Sequence, residues 1–376
     1  MQLERISIVN YKNIAQADLE FSAHINCFVG RNGMGKTNLL DAVYYLSFCK
    51  SSFSQSDHFN ILHDADFFMI QGAYGGDNGG VEKVHCALKR GSRKRVRCND
   101  KDCKKFSEHV GRIPLVMISP SDSLLVTGGS EERRKFMDTV ISQYQPAYLE
   151  ALIRYDKALK QRNALLKLEE EPDWNVVEIL EDMMSDAAAL IYAERSSFIR
   201  AFVPIFQRIY NALCDTTQEL VDIVYQSHGD RGELKPQLVE GRVRERIVGY
   251  TLHGVHKDDL LLHFNGYAVR QEGSQGQTKT YFIAMKLAQF VFLKTKGECR
   301  VPILLLDDIF DKLDAGRVAR IIDYVSGDEF GQIFITDTNR EHLDGILAAS
   351  AKDYRLFTVV NGEVADIAVS AESAPI

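Results

Sequence analysis

The residues best suited to chemistry form one glycine-rich stretch, Gly30-Arg31-Asn32-Gly33-Met34-Gly35-Lys36-Thr37. This stretch matches the phosphate-loop pattern G-x-x-x-x-G-K-[ST] at every fixed position. Because glycine has no Cβ, consecutive backbone N–H groups can converge on phosphate oxygens, and the N-terminus of a following helix adds positive charge. We therefore predict that the whole stretch binds a nucleotide, with Lys36 acting on the β- and γ-phosphates and Thr37 ligating Mg²⁺.

The segments on either side of this stretch agree with that interpretation. Residues 25–29 alternate in the manner of a short buried strand, and residues 37–46 have helical spacing, with Leu39, Leu40, Val43 and Leu46 on one face. Strand, glycine loop and helix are the context that the motif requires. A chance glycine turn is the alternative, and this context disfavours it.

Two adjacent aspartates, Asp307 and Asp308, follow the apolar run Ile303-Leu304-Leu305-Leu306. Such a run is typical of a central parallel strand, and a phosphate loop needs a carboxylate at the end of a neighbouring strand to hold Mg²⁺. We assign Asp307 to Mg²⁺, directly or through water, and Asp308 to catalysis by orienting or deprotonating the attacking water. Each aspartate alone is also compatible with the end of a strand or a helix cap, but the pair favours the functional interpretation.

A second glycine-rich segment, Gly273-Ser274-Gln275-Gly276-Gln277, opens a predicted helix from Thr278 to Lys294. It is a candidate anion-binding terminus. A single ATP already has its phosphates cradled by the phosphate loop, so a second cradle would serve a nucleotide held by another copy of the chain. On that interpretation Ser274, Gly276 and Gln277 contact the partner's γ-phosphate. Taken alone, however, the segment is more simply explained as a helix cap.

The most conspicuous charge asymmetry is a basic run in an otherwise acidic chain. The net charge is −7, yet nine lysines and arginines fall between residues 89 and 105. One interpretation is a solvated hairpin edge protected by charge. We favour the other, a track for the phosphate backbone of DNA, and its candidate contacts are Arg93, Lys94, Arg95, Arg97, Lys104 and Lys105.

Composition limits the class of protein. The chain has 376 residues, of which 45% are hydrophobic and 26% charged, values typical of globular proteins of about two domains. No apolar run approaches ~18 residues and no secretory signal is visible, so we expect a cytoplasmic protein without a membrane partner. Seven scattered cysteines fit free thiols. Cys98 and Cys103 lie close together, but without a second Cys/His pair at zinc spacing we predict no metal site there.

The order of elements predicts an α/β fold. Strands and hairpins dominate the first 118 residues and the last third of the chain. The middle is mostly helical, which indicates an insertion into the nucleotide-binding core. We predict one nucleotide-binding lobe with mixed β-sheets, formed by residues 1–118 and 250–376, and a mainly helical second lobe over 119–249. The second glycine-rich segment lies at their border. The helices are too short and too weakly heptad-patterned for a long coiled coil.

Together these motifs resemble the ABC-type ATPases. Residues 30–37, 273–277 and 307–308 are similar to the Walker A, signature and Walker B motifs, and Phe310-Asp311-Lys312-Leu313-Asp314 resembles the D-loop. More narrowly, the chain resembles the RecF family of bacterial DNA replication and repair proteins, whose head is SMC-like. The segments that carry this resemblance are Tyr11-Lys12-Asn13, Pro120-Ser121-Asp122, Arg133-Arg134-Lys135-Phe136-Met137-Asp138 and Gly254-Val255-His256-Lys257-Asp258-Asp259.

The resemblance implies an ABC-type head that dimerises on ATP, with Asp314 of the D-loop among the nucleotide contacts. It also implies binding to single-stranded DNA and gapped duplex at single-strand/duplex boundaries. In recombinational gap repair and replication, such a clamp helps to load RecA with RecO and RecR. The sequence departs from the family at Val255 and Lys257, where proline and arginine are usual, and at Ser121, where an acidic residue is usual.

The expected activity is slow, DNA-dependent ATP hydrolysis. Asp308 replaces the glutamate usual in transporter ATPases, and Thr336-Asp337-Thr338 stands where those proteins have a switch histidine. Two alternatives remain. One is the nucleotide-binding subunit of an ABC transporter, which the missing histidine and the helical insertion disfavour. The other is a scaffold that binds ATP without hydrolysing it, which the intact Asp307-Asp308 pair disfavours.

Overall fold

The computed structural model describes residues 1–76, 80–214, 219–296, 301–310, 315–327, 329–338 and 353–367. The chain forms two compact units. The first contains Met1–Ser121 and Gln289–Ile376, and the second contains Asp122–Ala288. The first unit therefore contains both ends of the chain, and the second unit is one continuous insertion in the sequence.

One of the two sheets of the first unit is antiparallel. Its strands lie in the order β2-β1-β4-β5-β6-β7. Their bounds are β1 Gln2–Tyr11, β2 Ile14–Glu20, β4 Phe67–Gly75, β5 Val81–Lys89, β6 Arg95–Cys98 and β7 Lys101–Asp102. Each strand pairs with its neighbour in antiparallel register. Inward residues such as Ile6 and Ile8 are buried while their neighbours face outward, so one face packs on a core.

The other sheet carries the nucleotide motifs. Its order is β15-β14-β3-β13-β12-β8, with β3 Ile25–Val29, β8 Leu115–Ile118, β12 Ile303–Asp307, β13 Ile333–Asp337, β14 Tyr354–Val360 and β15 Glu363–Ile367. Strand β12 is parallel to both of its neighbours, β13 and β8, and all of its residues are buried. The prediction of a central parallel strand at Ile303–Leu306 is confirmed. Helix α9 (Ala315–Ser326) precedes β13.

Helix α1 (Lys36–Phe48) makes contact with strands of both sheets, including β4 and β12. Leu39, Leu40 and Val43 are each at most 2% exposed, and the helix is buried on almost every side. A helix that is buried on almost every side lies inside a core. Its burial fixes the position of its N-terminus, where the glycine-rich stretch ends.

The second unit is mainly helical. Its helices are α2 (Leu124–Thr127), α3 (Ser130–Ile141), α4 (Pro146–Leu166), α5 (Trp174–Leu213), α6 (Leu234–Val248) and α7 (Val269–Glu272). Strands β9 (Val221–Gln226), β10 (Asp259–Phe264) and β11 (Tyr267–Ala268) form an antiparallel sheet in the order β11-β10-β9. Helix α8 (Gln275–Lys296) begins in this unit and ends in the first.

Single-turn 3₁₀ helices occur in both units, at Asp57–Asn60, Phe106–Glu108, Pro120–Ser123, His228–Arg231 and Val255–Lys257.

The boundaries of the inserted unit differ from those that we predicted. The predicted lobe covered 119–249, whereas the compact unit extends to Ala288. The reason is strand pairing across the predicted boundary: β10 pairs with β9 along its whole length, and this holds residues 259–264 with the helices. The signature segment therefore lies inside the second unit.

Two further observations concern the helices. The longest described helix, α5, has 40 residues and packs on α4. No extended coiled coil is present in the described ranges. Within the same ranges, none of the helices combines the length and the apolar character needed to cross a membrane.

Candidate functional site

The glycine-rich loop lies between β3 and α1, as its flanking pattern predicts. Gly35 has φ of 111°, and Gly33 has φ of 80°, in the left-handed region that favours glycine. The Lys36 ammonium donates hydrogen bonds to the carbonyl oxygens of Gly30 at 2.6 Å and Arg31 at 3.1 Å. Arg31, Asn32 and Gly33 are exposed, and Met34 is partly buried. The lysine side chain therefore crosses the inside of the loop.

The Thr37 side chain meets the strand-end aspartate predicted to share Mg²⁺ with it. Its hydroxyl donates to Asp307 Oδ1 and Oδ2 at 2.8 and 3.0 Å, although the residues are 270 positions apart in sequence. Asp307, which is 4% exposed, also accepts a hydrogen bond from Thr336 Oγ1 at 2.8 Å. A hydroxyl and a carboxylate are the hard oxygen donors that Mg²⁺ prefers. The residues present thus fit a magnesium ion.

The charges around Lys36 affect one another. Burial lowers the pKa of Lys36, while Asp308, Asp307 and Asp337 act in the opposite direction. Burial raises the pKa of Asp307, and the hydrogen bonds from Thr336 and Thr37 partly offset this increase. Three carboxylates and one ammonium in a partly buried site favour binding of a divalent cation, because the cation compensates the excess negative charge.

Asp308 has an unusual backbone conformation, with φ of 48°. Its N–H donates to the backbone oxygen of Thr336 at 3.2 Å and to Thr336 Oγ1 at 3.0 Å. Positive φ in a non-glycine residue is uncommon and is stabilised here by these bonds. The turn separates the directions of two consecutive side chains, so that Asp307 is buried and Asp308 is only partly buried.

A support for the loop that we did not predict comes from the β1–β2 turn. Asn13 Nδ2 donates to the Met34 carbonyl at 3.2 Å, and Asn38 Nδ2 donates to Asn13 Oδ1 at 2.7 Å. From the other side, Gly362 N–H donates to the same Met34 carbonyl at 2.8 Å. A Cβ on Gly35 would lie 2.7 Å from the Asn13 amide. Asn13 belongs to a motif noted in the sequence, but nothing in the sequence pairs it with the loop.

The signature segment begins helix α8. Ser274 Oγ accepts from the Gln277 N–H at 3.2 Å, and Gln277 Oε1 accepts from the Ser274 N–H at 3.0 Å. This reciprocal pair is a capping box. Ser274 is exposed, and Gly276 and Gln277 are partly buried. Asp314, the predicted D-loop contact, lies outside the described residues.

The predicted DNA residues do not all face solvent. Arg93, Arg95, Arg97, Lys104 and Lys105 are exposed. Arg95 and Arg97 alternate along β6 with buried Val96 and Cys98, and Arg97 Nε lies 2.9 Å from Asp102 Oδ1.

Lys94 differs from this group and from our prediction. Its ammonium bonds to the Cys49 carbonyl and lies 2.6 Å from Asp57 Oδ2, with a side chain only 13% exposed. It also sits over the rings of Tyr45 and Phe106, 5.3 and 5.0 Å from their centres. These contacts indicate that Lys94 stabilises the fold, and it is therefore not a candidate DNA contact.

Two of the motifs that carry the family resemblance bind each other within the second unit. Arg195 on α5 donates to Asp258 Oδ2 at 2.7 Å and to Asp138 Oδ1 at 2.9 Å. Arg133 holds Asp259 with bonds of 2.6 and 3.0 Å. Buried charges are tolerated only when paired in this way. These residues therefore stabilise the unit and do not form a ligand-binding site.

Comparison with known proteins supplies the family. The profile of the "RecF/RecN/SMC N terminal domain" family matches residues 2–363. A protein of Phocaeicola vulgatus named "DNA replication and repair protein RecF" is 55% identical over 97% of this chain and 98% of its own length. A protein of the same name from Bacteroides fragilis is 54% identical over 97% and 98%.

Solved structures agree. A structure of "the recombination mediator protein RecF-ATPrS in RecFOR pathway" matches with a TM-score of 0.87 and 27% identity, over 97% of this chain and 98% of the other. The corresponding RecF-ATP structure has a TM-score of 0.86 and 27% identity, over 98% of each chain. An Smc head domain from Pyrococcus furiosus matches with a TM-score of 0.58 at 15% identity, covering 99% and 97%, and so shares the fold alone.

Proposed function

The chain belongs to the RecF family of DNA replication and repair proteins, and from that membership we propose that it is an ATP-gated DNA clamp. In this proposal, ATP·Mg²⁺ joins two copies, and the dimer holds DNA at single-strand/duplex boundaries. Slow, DNA-dependent hydrolysis then releases it. The observation that carries the proposal is the contact of Thr37 with Asp307 beside Lys36, because it supports a nucleotide site built for a metal-bound triphosphate.

The proposed catalytic roles follow from the positions of the side chains. Lys36 neutralises charge on the β- and γ-phosphates, while Thr37 and Asp307 hold Mg²⁺. Asp308 orients or deprotonates water, since its turn directs it away from the buried Asp307. Asp337 lies at the end of β13 and is 3% exposed. This position is the one where transporter ATPases have a switch histidine, and the lack of an imidazole there supports slow turnover.

Dimerisation is proposed from the exposed end of α8. Ser274 is exposed and caps a helix of 22 residues, so backbone N–H groups and helix polarity favour an anion there. We propose that this anion is the γ-phosphate held by a second copy, with Gly276, Gln277 and Asp314 also in contact. RecO and RecR are the proposed protein partners in loading RecA, and the proposed location is the cytoplasm.

The test is binding of a fluorescently labelled gapped duplex, followed by anisotropy. Binding is measured with ATP·Mg²⁺ and without nucleotide, across a salt series. We expect ATP to tighten binding and salt to weaken it steeply, since each neutralised phosphate contributes about −0.9 to the slope of log K against log salt. Binding that ignores the nucleotide would overturn the gating proposal and leave a scaffold role.

A pair of variants separates dimerisation from ATP binding. Ser274→Arg should retain ATP binding yet lose ATP-induced dimers in sedimentation velocity, because the side chain blocks the capped helix end. Gln271→Arg is the matched control: it adds the same group at another exposed position, three residues earlier, and should dimerise normally. Normal dimers in Ser274→Arg would contradict the assigned role of the signature segment.

A further inference from the structure

We propose that Cys98, Cys103 and His109 form a zinc-binding site that is separate from the nucleotide site. Cys98 Sγ lies 3.2 Å from Cys103 Sγ and 3.2 Å from His109 Nδ1. All three ligand atoms lie within 4.8 Å of one another. This proposal departs from our prediction, made from the cysteine spacing, that no metal site lies there. A single histidine, placed after the cysteine pair, completes the cluster.

The basic hairpin brings the two thiols together. Strand β6 ends at Cys98, and Asn99 and Asp100 reverse the chain with φ of 49° and 63°. Positive φ at both positions is the signature of a tight two-residue hairpin turn. The chain then returns along β6, and the Cys103 N–H donates to the Val96 carbonyl at 2.9 Å. The turn therefore fixes Cys103 beside Cys98.

His109 presents the correct nitrogen. The 3₁₀ turn at Phe106–Glu108 delivers its ring, which is 1% exposed. Its Nε2 lies 2.6 Å from the Leu46 carbonyl oxygen. A carbonyl can only accept a hydrogen bond, so Nε2 carries the proton and Nδ1 directs a lone pair at Cys98. A metal-bound histidine characteristically donates its second N–H in this way.

A metal-free arrangement accounts for less of the geometry. A thiol of Cys98 donating to His109 Nδ1 would explain that pair, but thiols are weak hydrogen-bonding groups. It would not explain why the second thiol, that of Cys103, also lies 3.2 Å from Cys98 Sγ. In a tetrahedral zinc site the bond lengths place neighbouring ligand atoms about 3.5–3.8 Å apart. From the present distances, the cluster reaches that geometry if the two sulfurs separate by about 0.6 Å and Cys98 Sγ and His109 Nδ1 separate by about 0.3 Å. Cys103 Sγ and His109 Nδ1, which lie within 4.8 Å of each other, must then come to about 3.5 Å.

The ligand set and its exposure indicate which metal binds. Two thiolates and an imidazole suit Zn²⁺ rather than Mg²⁺ or Ca²⁺, which prefer oxygen. Cys98 and His109 are buried, whereas Cys103 is only partly buried. Three protein ligands leave one position of a tetrahedral zinc site open, and a water molecule reaching the partly buried Cys103 side would complete it. The ion would fasten the basic hairpin to helix α1, which provides Leu46. This role does not depend on the proposed DNA binding.

The test uses the full-length, reduced and chelator-treated protein. Zinc is titrated against a competing metal-binding dye, and Co²⁺ is added separately as a spectroscopic probe. We expect one zinc per chain and thiolate-to-cobalt charge-transfer bands. Zinc should also slow hydrogen exchange in residues 95–109. Wild-type protein that binds no stoichiometric zinc, or binds cobalt without thiolate bands, overturns the proposal whatever the variants do.

Variants identify the ligands. Cys103→Ser alters the most accessible ligand, so the fold should be retained. It should weaken zinc binding by more than the roughly 10- to 100-fold that follows loss of an outer-shell partner. Cys214→Ser, in the second unit, is the matched control and should bind zinc like the wild type. Unchanged zinc affinity in Cys103→Ser, or a Cys98–Cys103 disulfide that persists after reduction and excludes zinc, would refute the site.

Discussion

Replacing Asn13 by alanine should weaken ATP binding without touching any residue of the glycine-rich loop itself. The substitution removes the bond to the Met34 carbonyl at 3.2 Å and the bond from Asn38 at 2.7 Å. The Met34 carbonyl keeps its bond from Gly362, whereas the Asn38 amide loses its acceptor. A net hydrogen bond contributes about 0.5–1.5 kcal/mol, so the loss amounts to about 1–2 kcal/mol.

The effect on affinity follows from where the bonds act. Both hold the loop in the shape that directs its N–H groups inward, so nucleotide must supply the lost ordering energy. At 1.4 kcal/mol per tenfold change, Kd for ATP·Mg²⁺ should rise about 5- to 30-fold. Isothermal titration calorimetry measures this change directly. Gln16→Ala, at an exposed position of the adjoining strand β2, is the control and should bind ATP normally.

A double-mutant cycle identifies the mechanism. The cycle compares Asn13→Ala, Asn38→Ala and the variant that carries both substitutions. If Asn13 acts through Asn38, the doubly substituted protein should lose less ATP affinity than the sum of the two single losses, with a coupling energy of at least about 0.5 kcal/mol. The reasoning is refuted if Asn13→Ala changes Kd less than twofold while the free energy of unfolding falls by the expected amount. Asn13 would then stabilise the fold and not the loop.

Three further predictions concern other parts of the molecule. Arg95→Ala should lower the salt slope of DNA binding by about one, whereas Lys94→Ala should leave that slope unchanged and lower the free energy of unfolding by about 1–3 kcal/mol, because the partly buried Asp57 carboxylate loses its cation and keeps only the bond from the Tyr45 hydroxyl. Asp308→Asn should retain ATP binding and reduce phosphate release about 100-fold or more; unchanged release would remove Asp308 from the catalytic step. Burial lowers the pKa of His256 to about 4, below its unfolded value, so its contribution to stability is complete above about pH 6.5 and is lost as pH falls. Between pH 7 and pH 5 this amounts to about 2 kcal/mol in urea unfolding, and His256→Gln should show a correspondingly flatter pH dependence.

The local signals in the sequence determined the nucleotide motifs. Gly30–Thr37 is contiguous, and Gly33 and Gly35 have the positive φ that favours glycine, so neighbours in sequence suffice to identify the motif. The same holds for the buried strand at Ile303–Leu306 and for the Ser274–Gln277 capping box, because hydrophobic runs and caps act over a few residues. The mixed-sheet α/β class followed from the order of these elements.

Only the tertiary structure decided which distant groups meet. Thr37 and Asp307 were both identified as magnesium ligands, but their contact depends on β12 packing beside α1. The sequence could not show that Asn13 supports the loop, because that contact joins the ends of separate elements.

The sequence also did not show in which direction individual side chains point. Lys94 and Arg95 are adjacent and chemically alike, yet Lys94 turns inward to Asp57 and Arg95 outward to solvent. Cysteine spacing alone did not indicate that His109 joins Cys98, because a hairpin and a 3₁₀ turn bring them together. Side-chain direction at strand ends and in turns is set by long-range packing, and no pattern of neighbouring residues specifies it.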